Sequence, residues 1–271
     1  VLQRWSLYVS KGMTCCYGNL NWFGRPDTWT EPCASVDSYI LDFELWKATR
    51  NPAFRNMAEW IAVNAMGHAQ RTTGGFGCDN CPSAADPYLQ VRIPEATWCC
   101  TMRGAEGLAR MAEYSWAVEG DRLYIPFYRS GTLCADKLKL VQETAYPYEG
   151  QVRITVRENG RGIRTILVPE LPWAENTLIR LNGKLLTPST ANGFLPIKAQ
   201  FAAGDVVELS FDMPLRNDTW GSAKRFFRGP LMLCLRGAER TAADKVSPDS
   251  LVPVAHRMQY LDTDSAQVLF P

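Results

Sequence analysis

At 271 residues, with 46% hydrophobic and 11% aromatic side chains, the chain is long enough for two domains and a sizeable buried core. Its 29 basic and 28 acidic residues leave a net charge of +1 with no long charge run, so nothing in it favours nucleic acid or an anionic membrane surface. No apolar stretch approaches the length of a membrane span.

The first thirty residues carry Gly12, Gly18, Gly24 and Pro26 together with Tyr17, Trp22, Phe23 and Trp29, a pattern that predicts a long aromatic loop. From Cys33 to about Thr49 the residues Val36, Tyr39, Ile40, Phe43 and Trp46 recur at helical spacing. Asn51 and Pro52 then supply an N-cap and a first-turn proline. Phe54, Met57, Ile61 and Ala65 are expected on the inner face of the second helix, which should end near Gly67. Residues 70–97 read as irregular, with Gly74-Gly75, three prolines and the pair Cys78 and Cys81. A helix is expected from Cys100 to about Ala117, with Leu108, Met111, Ala112 and Ser115 inward. Its glycines, Gly104 and Gly107, weaken it by roughly 1 kcal/mol each against Ala, and so point to close packing.

From Asp121 the period changes to two. Leu123, Ile125 and Phe127 alternate with Arg122, Tyr124 and Pro126, and Val152, Ile154 and Val156 alternate with polar neighbours. Similar runs lie at 163–168, 177–181, 205–211 and 230–235, and Asn182-Gly183 is a hairpin-turn signal. Short, evenly spaced strands predict an antiparallel β-sandwich. The expected organisation is α+β: a helical part over 1–120, a β-sandwich over 121–240, and a strand or tail over 241–271.

The nine cysteines are an odd number, which leaves one over from any pure disulfide framework. Two stretches far apart in sequence stand out. Glu31 and Cys33, with the adjacent pair Cys99 and Cys100, offer four soft or borderline ligands, the count a tetrahedral zinc site requires. Neighbouring cysteines are also often just small buried hydrophobes. A competing four-cysteine site would use Cys78, Cys81, Cys99 and Cys100, and a disulfide between Cys78 and Cys81 is a further alternative.

The stretch Thr30 to Ser35, reading Thr-Glu-Pro-Cys-Ala-Ser, resembles the Glu-x-Cys-Ala segment of the bacterial β-L-arabinofuranosidases, glycoside hydrolase family 127 and its relatives. Trp98 to Arg110 resembles their segment in which a cysteine pair opens a helix. In order along the chain, so do Glu113 to Val118, Asp121 to Pro126, Gln142 to Pro147, Pro172 to Glu175, Asn182-Gly183, Gly204 to Leu209 and Arg228 to Leu231. The resemblance implies an (α/α) barrel followed by β-sandwich domains, with this chain as about the C-terminal half of a longer protein. With Val1 first and no signal-peptide pattern, any targeting signal is expected upstream.

Carried over by motif, the resemblance implies zinc held by Glu31, Cys33, Cys99 and Cys100, with Cys99 as the nucleophile of a retaining hydrolase acting on a carbohydrate substrate such as a β-L-arabinofuranoside. The family's general acid is a glutamate on the glycine-rich loop upstream of Glu-x-Cys. Here Val1 to Pro26 holds no Asp or Glu, and Asp27 falls at a different position of that loop, so the acid has no match. Asp37, Asp42 and Glu44 read as solvated helix faces or structural pairs, and His68 and His256 as structural or exposed. Besides a thiolate-dependent hydrolase, the sequence allows an inactive zinc-containing relative that binds sugar, or a structural zinc domain.

Overall fold

The computed structural model describes residues 31–79, 91–220 and 223–233. The aromatic loop before Thr30, the residue Cys81 and the 241–271 tail lie outside them. Helix α1 (Pro32–Thr49) opens with proline in its first turn, where a missing N–H is no loss, and closes on Arg50 in the left-handed region at φ 56°. Asn51 caps α2 (Pro52–Trp60) as the spacing predicts, its side-chain oxygen accepting from the Ala53 N–H at 3.0 Å. The chain continues through a π-helical turn, Ile61–Met66, and a last α-helical turn, Gly67–Ala69. A short two-stranded ladder pairs β1 (Cys78–Asp79) with β2 (Val91–Ile93), and α3 (Cys99–Glu113) follows.

On α1 the predicted residues Val36, Tyr39, Phe43 and Trp46 are buried. On α2 the inner face is rotated: Ala58, Ile61, Ala62 and Met66 form the core, while Phe54, Met57 and Ala65 only flank it. The π turn contributes after Ile61, where i→i+5 bonding widens the helix and moves Ala65 off the inner face; Phe54 and Met57 precede it and are not explained by it.

On α3 the expected stripe holds in part: Met111 packs against the helical core and Ser115, just past the helix, is buried. Leu108 and Ala112 face outward, and the buried positions are Cys100, Gly104 and Gly107. Glycines carry no hydrophobic signal, yet here they admit neighbours. A Cβ on Gly104 would run into the Phe76 ring, and one on Gly107 into Met66 and Val36. The helix also ends at Glu113 rather than near Ala117, because Ala117–Glu119 is taken up as strand β3.

After β3 come β4 (Arg122–Tyr124), β5 (Gly131–Ala135), β6 (Leu138–Thr144), β7 (Gln151–Asn159), β8 (Thr165–Pro169), β9 (Glu175–Leu181), β10 (Lys184–Leu186), β11 (Phe194–Lys198) and β12 (Val206–Asp212). One sheet has six antiparallel strands in the order β10-β9-β12-β7-β6-β5, and a second has four in the order β11-β8-β4-β3. The expected antiparallel pairing has one exception, β4 parallel to β8. The Asn182-Gly183 turn is as predicted: both residues have positive φ, at 50° and 79°, and Leu181 pairs with Lys184 across it.

The two sheets share one core. Leu123, Ile166, Val168 and Ile197 from the smaller pack with Leu140, Val152, Ile154, Ile179, Val207 and Leu209 from the larger. The other face of the small sheet, with Leu167 and Phe194, joins Phe127 against the helices. Strand β8 is therefore covered on both faces, which is why Ile166, Leu167 and Val168 run apolar without alternation.

A three-stranded antiparallel meander, β13 (Leu215–Trp220), β14 (Ala223–Arg228) and β15 (Leu231–Leu233), returns to the helices. Asn64 holds it there: its amide donates to the Pro230 carbonyl at 2.9 Å and its oxygen accepts from the Met232 N–H at 2.7 Å. Between helix and sheet lies a buried polar knot. Arg55 donates to the Pro126 carbonyl at 2.7 Å and pairs with Glu59 at 3.1 Å, and Tyr146 Oη donates to Glu59 at 3.0 Å.

Candidate active site

The candidate site lies where two helices begin. Glu31 is the N-cap of α1, with extended backbone, and its side chain makes no capping bond. Its carbonyl takes the first N–H groups of the helix, from Ala34 at 3.0 Å and Ser35 at 3.1 Å. Cys33 is in the first turn. Cys99 and Cys100 open α3, with Trp98 as N-cap. The start of α3 is pinned by Thr101, whose hydroxyl donates to the Ala96 carbonyl at 2.6 Å and accepts from the Phe76 N–H at 3.1 Å.

These anchors bring residues 67 apart in sequence together. The sulfurs of Cys33, Cys99 and Cys100 lie within 4.8 Å of one another, and Cys33 to Cys100 is 3.9 Å. Tetrahedral zinc with bonds of about 2.3 Å to sulfur sets neighbouring sulfurs about 3.8 Å apart, so the group fits such an ion. Each thiol also sits in the first turn of a helix, where the dipole favours negative charge. Cys99 is exposed, Cys33 is half-buried and Cys100 is buried.

Burial pushes the Cys33 thiol far above its ordinary value, with the Cys99 and Cys100 thiols adding to it. Burial likewise pushes Cys100 up to about 12, with Cys78 next in effect. The physical content is that crowded thiols resist ionising together unless a cation neutralises them.

The Glu31 carboxylate stands outside the mutual 4.8 Å set. It is near enough for its charge to oppose ionisation of Cys78. Cys78, on β1, belongs with Cys99 and Cys100 only in the competing four-cysteine site, and the structure does set it beside Cys100. Its sulfur is 3.7 Å from that of Cys100, it is buried, and burial pushes it up to about 11. Cys78 is a free thiol, which removes the disulfide to Cys81. Among the described residues, the thiol beside it is 22 residues on, a separation that no spacing motif marks.

The acidic residues of α1 divide three ways. Asp37 pairs with Arg103, and Glu44 pairs with Lys47 at 2.7 Å and accepts from Tyr114 Oη at 3.1 Å. Asp42 is neither solvated nor paired among the described residues; it is 1% exposed, and burial raises its pKa to about 7. It stands nine residues past Cys33, about 13 Å along the helix, so it does not serve the thiols. His68 is structural, with Nε2 3.0 Å from Asp79.

Residues 122–213 match the family model described as "Beta-L-arabinofuranosidase, GH127 middle domain". The chain resembles the GH127 family. Three solved structures share its fold. One described as "Glycoside hydrolase" has a TM-score of 0.66 at 24% identity, covering 76% of this chain and 38% of that one. A GH127 β-arabinofuranosidase has a TM-score of 0.66 at 21% identity, covering 83% and 40%. A GH127 β-L-arabinofuranosidase from Geobacillus stearothermophilus T6 has a TM-score of 0.62 at 20% identity, covering 76% and 36%. The chain thus spans well under half the length of each. No curated protein matches it. The GH127 resemblance is borne out over part of the chain: the family model matches at residues 122–213, in the sheets, outside the Glu-x-Cys and cysteine-pair motifs.

Proposed function

We propose that the chain is the thiol-bearing part of a GH127-like glycoside hydrolase acting on a β-L-arabinofuranoside, with Cys99 as nucleophile and zinc as its metal. The observation that carries the reading is the convergence of Cys33, Cys99 and Cys100 at two helix starts. Together with Glu31, whose carboxylate would have to move inward, these residues would hold the ion. When bound, zinc keeps the sulfurs deprotonated near neutral pH.

Exposure supports this division of roles among the thiols. Cys99 is the exposed member, so its sulfur is the one that can meet a sugar, while Cys100 is buried as a ligand should be. The Cys99 sulfur attacks the anomeric carbon and the glycosidic oxygen leaves with a proton. Water then opens the resulting thioglycosyl bond and restores the configuration, the double displacement of retaining glycosidases with sulfur in place of a carboxylate. Residues 1–26 hold no carboxylate to supply that proton, so another acid must give it.

We also read the helices as part of an (α/α) barrel wall and the two facing sheets as the β-sandwich, divided near residue 120. The outward side of α3 supports this. Trp98, Met102 and Leu108 are 53%, 68% and 40% exposed, as expected of a wall helix whose neighbours are not among the described residues.

The test is turnover of a nitrophenyl β-L-arabinofuranoside and of an unactivated disaccharide by the full-length protein. Hydrolysis of the aryl substrate that is lost in Cys99→Ala supports the reading. Sugar binding without turnover of either substrate favours an inactive relative. Equal aryl activity in Cys99→Ala and wild type overturns the thiolate mechanism.

A further inference from the structure

Behind the thiol group sits an anchored strand end. Asp79 on β1 pairs with Arg71 at 2.9 Å and lies 3.0 Å from His68. Arg71 also donates to the Pro94 carbonyl at 2.8 Å and to the His68 carbonyl at 3.0 Å. Arg71 and Asp79 are buried, so the clamp is shielded from competing water. A Cβ on Gly77 would strike Arg71 and the Ile93 carbonyl, so the chain passes close beneath the guanidinium. The residue held between Gly77 and Asp79 is Cys78. Its side chain packs in a small cluster with Ala96, Cys100, Cys33 and Ile93, and its sulfur lies 3.7 Å from Cys100.

Two roles fit a buried thiol at that distance. As a ligand, it would have to be a tetrahedron edge away from every other donor. Cys78, like Glu31, is outside the set of donors lying within 4.8 Å of one another, and the proposed site gives the fourth position to Glu31, which leaves Cys78 beside the ligands. The second role is a hydrogen bond. The contact can run either way between two neutral thiols. Once Cys100 is a metal-bound thiolate it has no proton to give, and the direction is fixed: Cys78 Sγ–H donates and Cys100 Sγ accepts.

We propose that Cys78 is a positioning residue for the metal centre, donating a hydrogen bond to the Cys100 thiolate and so fixing that ligand's orientation and electron density. This rests on the reading that the thiols bind a metal. Partners of this kind are typically worth about 10–100-fold in metal affinity. The Arg71–Asp79–His68 clamp gives the donor a fixed place, so the bond needs little ordering when the metal arrives.

The test uses the full chain loaded with cobalt(II), whose thiolate-to-metal charge-transfer band reports the electron density on sulfur. Wild type, Cys78→Ala and Cys78→Ser are compared by that band and by competition with a chromophoric chelator. Removing the donor in Cys78→Ala is expected to move the band to lower energy and weaken binding about 10–100-fold. Cys78→Ser retains an O–H donor and should recover most of both. A purely structural role would not move the band. Circular dichroism and melting of the metal-free proteins establish that each variant folds. If the alanine variant does not, Cys78→Val fills the space without a donor and should give the same loss. Unchanged band and affinity in the donor-free variant overturn the proposal while leaving the metal site standing, as does a serine variant no better than alanine. A wild type with no thiolate band at all takes down both this proposal and the metal reading.

Discussion

The sheets and the helices of this chain are stabilised in different ways. The two sheets close on each other with aliphatic side chains, among them Leu123, Ile154, Ile166 and Val207, and their buried faces are almost free of charge. The helical part buries Arg55, Glu59, Arg71, Asp79 and Asp42, admits close contact through Gly104 and Gly107, and leaves Trp98 and Met102 exposed. Aliphatic packing is forgiving and locally sufficient, whereas buried charge needs its partners in place. The thiols belong to the second region. The thiol cluster lies where geometry is fixed by specific polar anchors rather than by volume alone.

That contrast can be broken or sharpened by substitution. The largest effect is expected at Cys99→Ala, which should lower turnover of an aryl arabinofuranoside by about 10⁴-fold or more while the melting temperature stays close to wild type. A loss of activity matched by unfolding would put Cys99 on the structural side of the divide. Next comes Arg55→Ala, which leaves Glu59 charged and buried beside Tyr146; a loss of about 3–5 kcal/mol in denaturant unfolding is expected. In the sheets, Ile154→Ala should cost about 2–5 kcal/mol through its cavity, yet leave metal affinity unchanged. Were metal binding to weaken in step with it, the two regions would not be independent.

Asp42 gives a pH test of the helical side. Its pKa is raised from 3.8 to about 7 by burial, so the folded chain holds a proton that the unfolded chain has released. Its contribution to stability should therefore be greatest below about pH 4, fall as pH rises towards 7, and be lost above it, with a slope of at most about 1.4 kcal/mol per pH unit. Asp42→Asn should flatten that portion of the curve; an unchanged slope assigns it to another group. The smallest effect is expected at Gly183→Ala, where a side chain must adopt φ 79° in the β9–β10 turn, at a cost of about 1 kcal/mol.

What was legible in the sequence follows the same divide. Alternating aliphatics disclosed most strands, and Asn182-Gly183 disclosed a turn to the residue, because period and turn chemistry are local properties. Helix faces were read less well. The π turn rotated the face after Ile61, and the inner face of α3 is made of a cysteine and glycines that a hydrophobic pattern passes over. Of the site, the Glu-x-Cys and cysteine-pair motifs located the thiols now seen together, since each pair is contiguous in sequence. Spacing tied Cys78 to Cys81 and, in the competing four-cysteine site, to Cys99 and Cys100; the pairing of Cys78 with Ile93 across β1 and β2 and the Arg71 clamp are what hold it beside Cys100.

The central claim is that these thiols form a metal centre. It is tested most directly by zinc content and X-ray absorption at the zinc edge, on the full chain purified without chelator. The account predicts about one zinc per chain, with sulfur neighbours at about 2.3 Å and an oxygen at about 2.0–2.2 Å that is lost in Glu31→Gln. A stoichiometry near zero, or a shell of nitrogen and oxygen without sulfur, would contradict it.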